Sequence, residues 1–131
     1  MDKNRIEKPS LLAPLVLAYI GDSVYEVYVR NRLLFEHPDM PVHKLHKEAI
    51  KYVRAYAQSN SMKAVELILE PDEEAVYKRG RNAKSPTTPK NADIGDYRRA
   101  TGFEALVGYI HLMNKPERLE LIMSTAFQSA L

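Results

Sequence analysis

Apolar residues recur at helical spacing along almost the whole chain, and no segment shows the strict alternation of a half-buried strand. The clearest case is near the C-terminus. Leu119, Ile122, Met123, Ala126, Phe127 and Ala130 fall on one helical face, and Pro116 suits the first turn ahead of them. In residues 43–58, Leu45, Ala49, Tyr52, Val53 and Tyr56 form an apolar stripe. Lys44, Lys47, Lys51 and Arg54 form a basic stripe roughly opposite, with Glu48 as the single acid. A further helix is expected over 60–70, carrying Met62, Val65, Ile68 and Leu69. Pro71 restarts the chain. Asp72, Glu73 and Glu74 then occupy a first turn, Lys78 and Arg79 a last turn, and Gly80 a natural stop.

Residues 81–91 read as a loop, with Pro86 and Pro89 among Ser85, Thr87 and Thr88. Helical spacing returns over 92–114, with a break expected near Gly95 or Gly102. Near the start, 11–20 and 23–35 read as two short helices, with Val24, Val27, Tyr28 and Leu34 as core candidates. No internal repeat, low-complexity tract or linker interrupts the pattern. The expectation is one all-α domain of about six or seven helices over residues 1–131.

Composition narrows the function classes. With 131 residues, 45% apolar and 27% charged, the chain has ordinary globular content and enough length for one core. It has no cysteine, so a disulfide framework, a thiolate zinc site and a cysteine nucleophile are excluded. No stretch approaches the roughly 20 apolar residues of a membrane span. Lys3, Arg5 and Lys8 precede the apolar run at 11–20, but Asp2, Glu7 and Pro14 spoil the resemblance to a signal peptide. A cytoplasmic protein without membrane contact is expected.

The common catalytic signatures are missing: no phosphate-binding glycine loop, dinucleotide fingerprint, metalloprotease histidine pair or nucleophile elbow. Two acids stand out instead. Asp22 lies in Tyr19-Ile20-Gly21-Asp22-Ser23-Val24, at the expected helix junction. It could cap a helix, as the spacing of Ser23 and Glu26 also suggests, or bind a hard cation. Glu104, in Phe103-Glu104-Ala105-Leu106-Val107-Gly108, flanks an apolar helical face. It is either a solvated flank residue or a carboxylate that burial would force to be paired or coordinated. The four histidines give only one helical pair, His43 and His46, without an evident third ligand.

The charge is uneven. The formal net charge is only +2, yet residues 78–99 alone carry +5, from Lys78, Arg79, Arg81, Lys84, Lys90, Arg98 and Arg99 against Asp93 and Asp96. With the stripe at 44–54, this favours a polyanionic partner. Asn82, Ser85, Thr87, Thr88 and Asn91 add polar groups suited to phosphate or 2′-hydroxyl contacts.

The two acidic segments, taken together, resemble the paired signatures of the ribonuclease III catalytic domain. Tyr19-Ile20-Gly21-Asp22-Ser23-Val24 is similar to the first and Phe103-Glu104-Ala105-Leu106-Val107-Gly108 to the second, in the right order and separation. Arg79-Gly80-Arg81-Asn82-Ala83-Lys84 and Pro89-Lys90-Asn91 are similar to the Mini-ribonuclease III branch, which lacks a separate double-stranded-RNA-binding domain. The resemblance covers about residues 10–130. It implies an all-α homodimer that cuts double-stranded RNA with Mg²⁺, or Mn²⁺ in its place, in the maturation of 23S ribosomal RNA ends. Asp22 and Glu104 take the positions of metal-binding carboxylates, and a cation-activated water is the expected nucleophile. The products would carry 5′-phosphate and 3′-hydroxyl ends, with a two-nucleotide 3′ overhang. RNA contacts are expected from Lys44, Lys47, Lys51, Arg79, Arg81, Asn82, Lys84 and Lys90.

The chain departs from the larger enzymes at Ala18 and Thr101, where they carry further acids, so each site has fewer carboxylates. That leaves the number of metals open, and it leaves a second reading: a non-catalytic RNA-binding module. A helical protein-interaction domain is the third, and it predicts neither RNA affinity nor Mg²⁺ dependence.

Overall fold

A computed structural model describes residues 6–84, 90 and 93–131. The expectations that rested on Lys3, Arg5, Ser85, Pro86, Thr87, Thr88, Pro89, Asn91 and Ala92 lie outside the described residues. Among the described residues every regular element is helical. They are α1 (Pro14–Glu36), α2 (Val42–Val53), α3 (Ala55–Val65), α4 (Pro71–Asn82), α5 (Ile94–Leu112) and α6 (Pro116–Gln128), with 3₁₀ turns at Pro9–Leu11 and Glu66–Ile68.

α5 is the axis of the fold. Phe103, Ala105, Leu106, Val107, Tyr109 and Ile110 are all buried, so its central turns are covered on nearly every side, with Glu104 the one acid among them. Such a helix is stable only when neighbours surround it. α1, α3, α4 and α6 do so. α6 buries Leu119, Ile122, Met123, Ala126 and Phe127, the face its spacing predicts. α4 starts as its sequence indicates. The Glu70 backbone N–H donates to the Glu73 carboxylate at 2.8 Å, and three acids fill the first turn. Glu73 is itself buried, paired with Arg118 at 2.6 Å.

Four boundaries differ from the sequence expectation. The predicted pair of short helices is one 23-residue helix, α1, which runs unbroken through Gly21, Asp22 and Ser23. Asp22 is therefore not a cap, and Glu26 pairs with Arg30 rather than closing a capping box. Along α1, Tyr28 is buried and Val24 partly so, but Val27 and Leu34 face solvent. The break expected near residue 59 falls at Arg54, whose ψ of 156° ends α2 and begins α3, and Tyr56 of the predicted stripe is exposed. α5 passes through Gly95 and Gly102 without a break, and α4 continues past Gly80. Gly80 and Gly102 are contact points between α4 and α5, not stops. A Cβ on Gly80 would stand 2.8 Å from the Ala105 Cβ and 2.9 Å from the Gly102 Cα.

Candidate active site

α1 and α5 cross at two glycines. A Cβ on Gly21 would lie 1.7 Å from the backbone oxygen of Glu104, and one on Gly108 would lie 2.0 Å from that of Leu17. Only residues without a side chain allow so close an approach. Gly21 and Gly108 belong to the two segments that carry the acids, and the crossing explains why. It sets Asp22, the residue after Gly21, against Glu104, with the two carboxyl groups close enough to influence each other. Asp22 is exposed, whereas Glu104 is partly buried. Burial, reinforced by the neighbouring Asp22 carboxyl, pushes Glu104 up to about 9, while the Gln58 amide pulls it back down.

Such a pair offers oxygen donors that a cation could use. Two hard oxygen donors side by side suit a divalent ion, whose entry would displace the proton that burial holds on Glu104. Among the described residues no group of three or more His, Cys, Asp or Glu residues is placed to hold a metal. Two carboxylates alone fit a small hard cation that keeps several of its waters, as Mg²⁺ does.

The Ribonuclease III domain family matches residues 15–115, which includes both acids. The chain belongs to the ribonuclease III family, in its Mini-ribonuclease III branch. A Mini-ribonuclease 3 of Clostridium tetani is 53% identical over 110 residues, covering 84% of this chain and 73% of that protein. One of Symbiobacterium thermophilum is 45% identical over 122 residues, covering 93% of each. A crystal structure of a Fusobacterium nucleatum protein shares the fold with a TM-score of 0.81 at 26% identity, covering 96% of this chain and all of that one. The ribonuclease III family is one of endoribonucleases, so this chain is an endoribonuclease of that family.

The two departures from that family pattern lie on the crossing helices α1 and α5. Ala18 is buried on α1. The Thr101 hydroxyl donates to the carbonyl of Tyr97 at 3.0 Å, one turn back on its own helix. Neither adds a carboxylate beside Asp22 and Glu104.

The predicted RNA-binding residues lie on two elements. Lys44, Lys47 and Lys51 are exposed on α2, and Lys51 pairs with Glu48 at 2.8 Å. Arg79, Arg81 and Asn82 lie on the last turns of α4, with Lys84 and Lys90 exposed beyond it. Arg79 donates to the carbonyls of Ser10 and Leu12 at 2.8 and 3.2 Å, so it also ties the N-terminal turn to α4. Arg81 lies over the Tyr77 ring at 5.7 Å and bonds the Asn82 side chain at 3.1 Å. His43 and His46 are exposed.

One residue at the centre escaped the sequence reading. Gln58 is buried on α3, with its amide near enough to the Glu104 carboxyl to favour the ionised form. The available signal was register: Gln58 falls in line with Met62 and Val65, a polar side chain in an apolar row.

Proposed function

We propose that the protein is a Mg²⁺-dependent endonuclease for double-stranded RNA, with Mn²⁺ able to substitute. The observation that carries this reading is the Asp22–Glu104 carboxyl pair held at the glycine crossing of α1 and α5. Asp22 and Glu104 would hold the cation. When bound, it supplies stabilisation of negative charge at the scissile phosphate and acidifies a water for attack. Glu104 releases its proton as the cation enters, and Asp22, at the surface, presents the centre to the RNA backbone. Attack by water on phosphorus leaves a 5′-phosphate and a 3′-hydroxyl.

A-form RNA hides its base edges in a deep groove, so recognition rests on shape, phosphates and 2′-hydroxyls. Lys44, Lys47, Lys51, Arg79, Arg81, Asn82, Lys84 and Lys90 are the groups we assign to those contacts. We also propose a homodimer, which would set one centre against each strand and give staggered cuts with a two-nucleotide 3′ overhang. Its support is an apolar stripe left in solvent along α1: Val16, Tyr19, Val27 and Leu34, with Tyr19 78% exposed. No helix among the described residues is long and apolar enough to cross a membrane. A cytoplasmic substrate, the 23S ribosomal RNA precursor, is the proposed target.

The test is cleavage of an end-labelled RNA duplex with Mg²⁺ by the native chain, Asp22→Asn and Glu104→Gln. Loss of cutting in both variants with RNA binding retained is the expected result. A native chain that binds the duplex but never cuts it with Mg²⁺ or Mn²⁺ would leave a non-catalytic RNA-binding module.

A further inference from the structure

Gln58 is 1% exposed, among the most buried side chains of the protein. Packing does not explain it, since a leucine or methionine would fill the same space without polar atoms to satisfy. Its Nε2 donates to the Val53 carbonyl at 3.0 Å, across the break at Arg54. That bond orients the amide, because an oxygen turned toward the Val53 oxygen would be repelled. The nitrogen has a second N–H, and the Glu104 carboxyl is its neighbour. The Oε1 is buried with no partner among the described residues. An unmet buried acceptor is uncommon in a folded protein.

We propose that Gln58 is a positioning residue for the Asp22–Glu104 centre, holding the Glu104 carboxyl in place from α3 so that both carboxyls meet one divalent cation. The inference rests on reading that pair as a cation site. It gives the break at Arg54 a purpose. The break frees the Val53 carbonyl to anchor one N–H of the amide, which leaves the other for Glu104. Outer partners of this kind commonly change metal affinity or activity by about 10–100-fold when removed.

The test uses the full chain and Gln58→Leu, with two readouts. One is Mn²⁺ binding by calorimetry without RNA; the other is the Mg²⁺ dependence of duplex cleavage at saturating RNA. The variant should melt at or above the temperature of the native chain and bind duplex RNA in Ca²⁺ within about twofold of it. It should bind Mn²⁺ about tenfold more weakly and need about tenfold more Mg²⁺ for half-maximal cutting. A merely structural role would move the melting temperature and leave the metal dependence alone. Mn²⁺ affinity and Mg²⁺ dependence both within twofold of the native chain would overturn the proposal. If Gln58→Leu does not fold, Gln58→Met carries the same readouts and the same criteria. A native chain that binds Mn²⁺ but cuts no RNA would sink the nuclease reading alone, and the Mn²⁺ affinities would still decide the role of Gln58.

Discussion

α5 is crossed twice at glycines, and the two crossings differ in what stands beside them. At the first, Gly21 and Gly108 bring α1 against α5, and the residue after Gly21 is Asp22. At the second, Gly80 and Gly102 bring α4 against α5, and the residue after Gly80 is Arg81. The first crossing holds two carboxyl groups together. The second is lined by the Tyr77 ring and Ala105, with basic residues on its solvent side. Close glycine contact is thus a packing device used twice. Acids flank one crossing and basic residues the other, and the roles proposed for the two follow from that difference.

Breaking the first crossing should have the largest effect. In Gly21→Ala the new methyl meets the Glu104 carbonyl, a backbone atom that cannot swing aside. The cost should lie at or beyond the top of the about 1–3 kcal/mol usual for overpacking. Thermal melts should show a much lowered transition, with cleavage lost because Asp22 and Glu104 are driven apart. A variant with native stability would mean that α1 can shift without penalty.

Next in size is Glu104→Gln, with opposite effects on stability and activity. In the metal-free protein Glu104 holds its proton to about 9, against 4.5 for an ordinary glutamate. Between those values the unfolded chain binds fewer protons than the folded one. Stability therefore falls as pH rises, by at most about 1.4 kcal/mol per pH unit from this group. It is fully present below 4.5 and lost as pH approaches about 9. Glutamine removes that slope. With a chelator present, Glu104→Gln should melt above the native chain near about pH 8, and the gap should shrink toward about pH 5. The same variant should cut no RNA. Parallel melting curves across that range would show that burial and Asp22 do not hold the proton on Glu104.

The second crossing should be the more forgiving. Gly80→Ala presses a methyl on Ala105 and the Gly102 Cα, at 2.8 and 2.9 Å rather than 1.7 Å. A loss of about 1–3 kcal/mol is expected, with cleavage by the folded fraction unchanged because both carboxyl groups stay in place. A fall in cleavage rate per folded molecule would mean that the two crossings are mechanically coupled through α5.

These same glycines mark the limit of what the chain declares in advance. Apolar periodicity identified α6 and the all-α class, and the acids after Pro71 identified the start of α4, because those signals are local. Gly21, Gly80 and Gly102 looked like stops for an equally local reason. Their use depends on partners 21 to 87 positions away, on other helices. Gly-Asp-Ser, which resembled a junction, is the middle of α1. No proline or glycine marks the break at Arg54. Asp22 and Glu104 were identified by the resemblance of both segments to one family, whereas periodicity left each of them ambiguous. Gln58, which belongs to no such motif, was passed over.

The smallest effect expected is at the basic edge of the second crossing, where it separates binding from chemistry. Arg81 and Lys84 make no ion pair among the described residues, although Arg81 spends some of its donor capacity on Asn82. If both meet phosphates, replacing them with alanine releases fewer counterions on binding. The slope of log affinity against log salt should then flatten by roughly one unit per lost contact. Stability should hardly move, since exposed charges contribute little. Arg79→Ala is the control on the same helix. It removes the bonds to Ser10 and Leu12, so it should lower the melting temperature as well as the affinity. Filter binding of duplex RNA over a salt series checks both. A slope unchanged by Arg81→Ala with Lys84→Ala would move the RNA from the end of α4 to Lys44, Lys47 and Lys51. The second crossing would then serve packing alone.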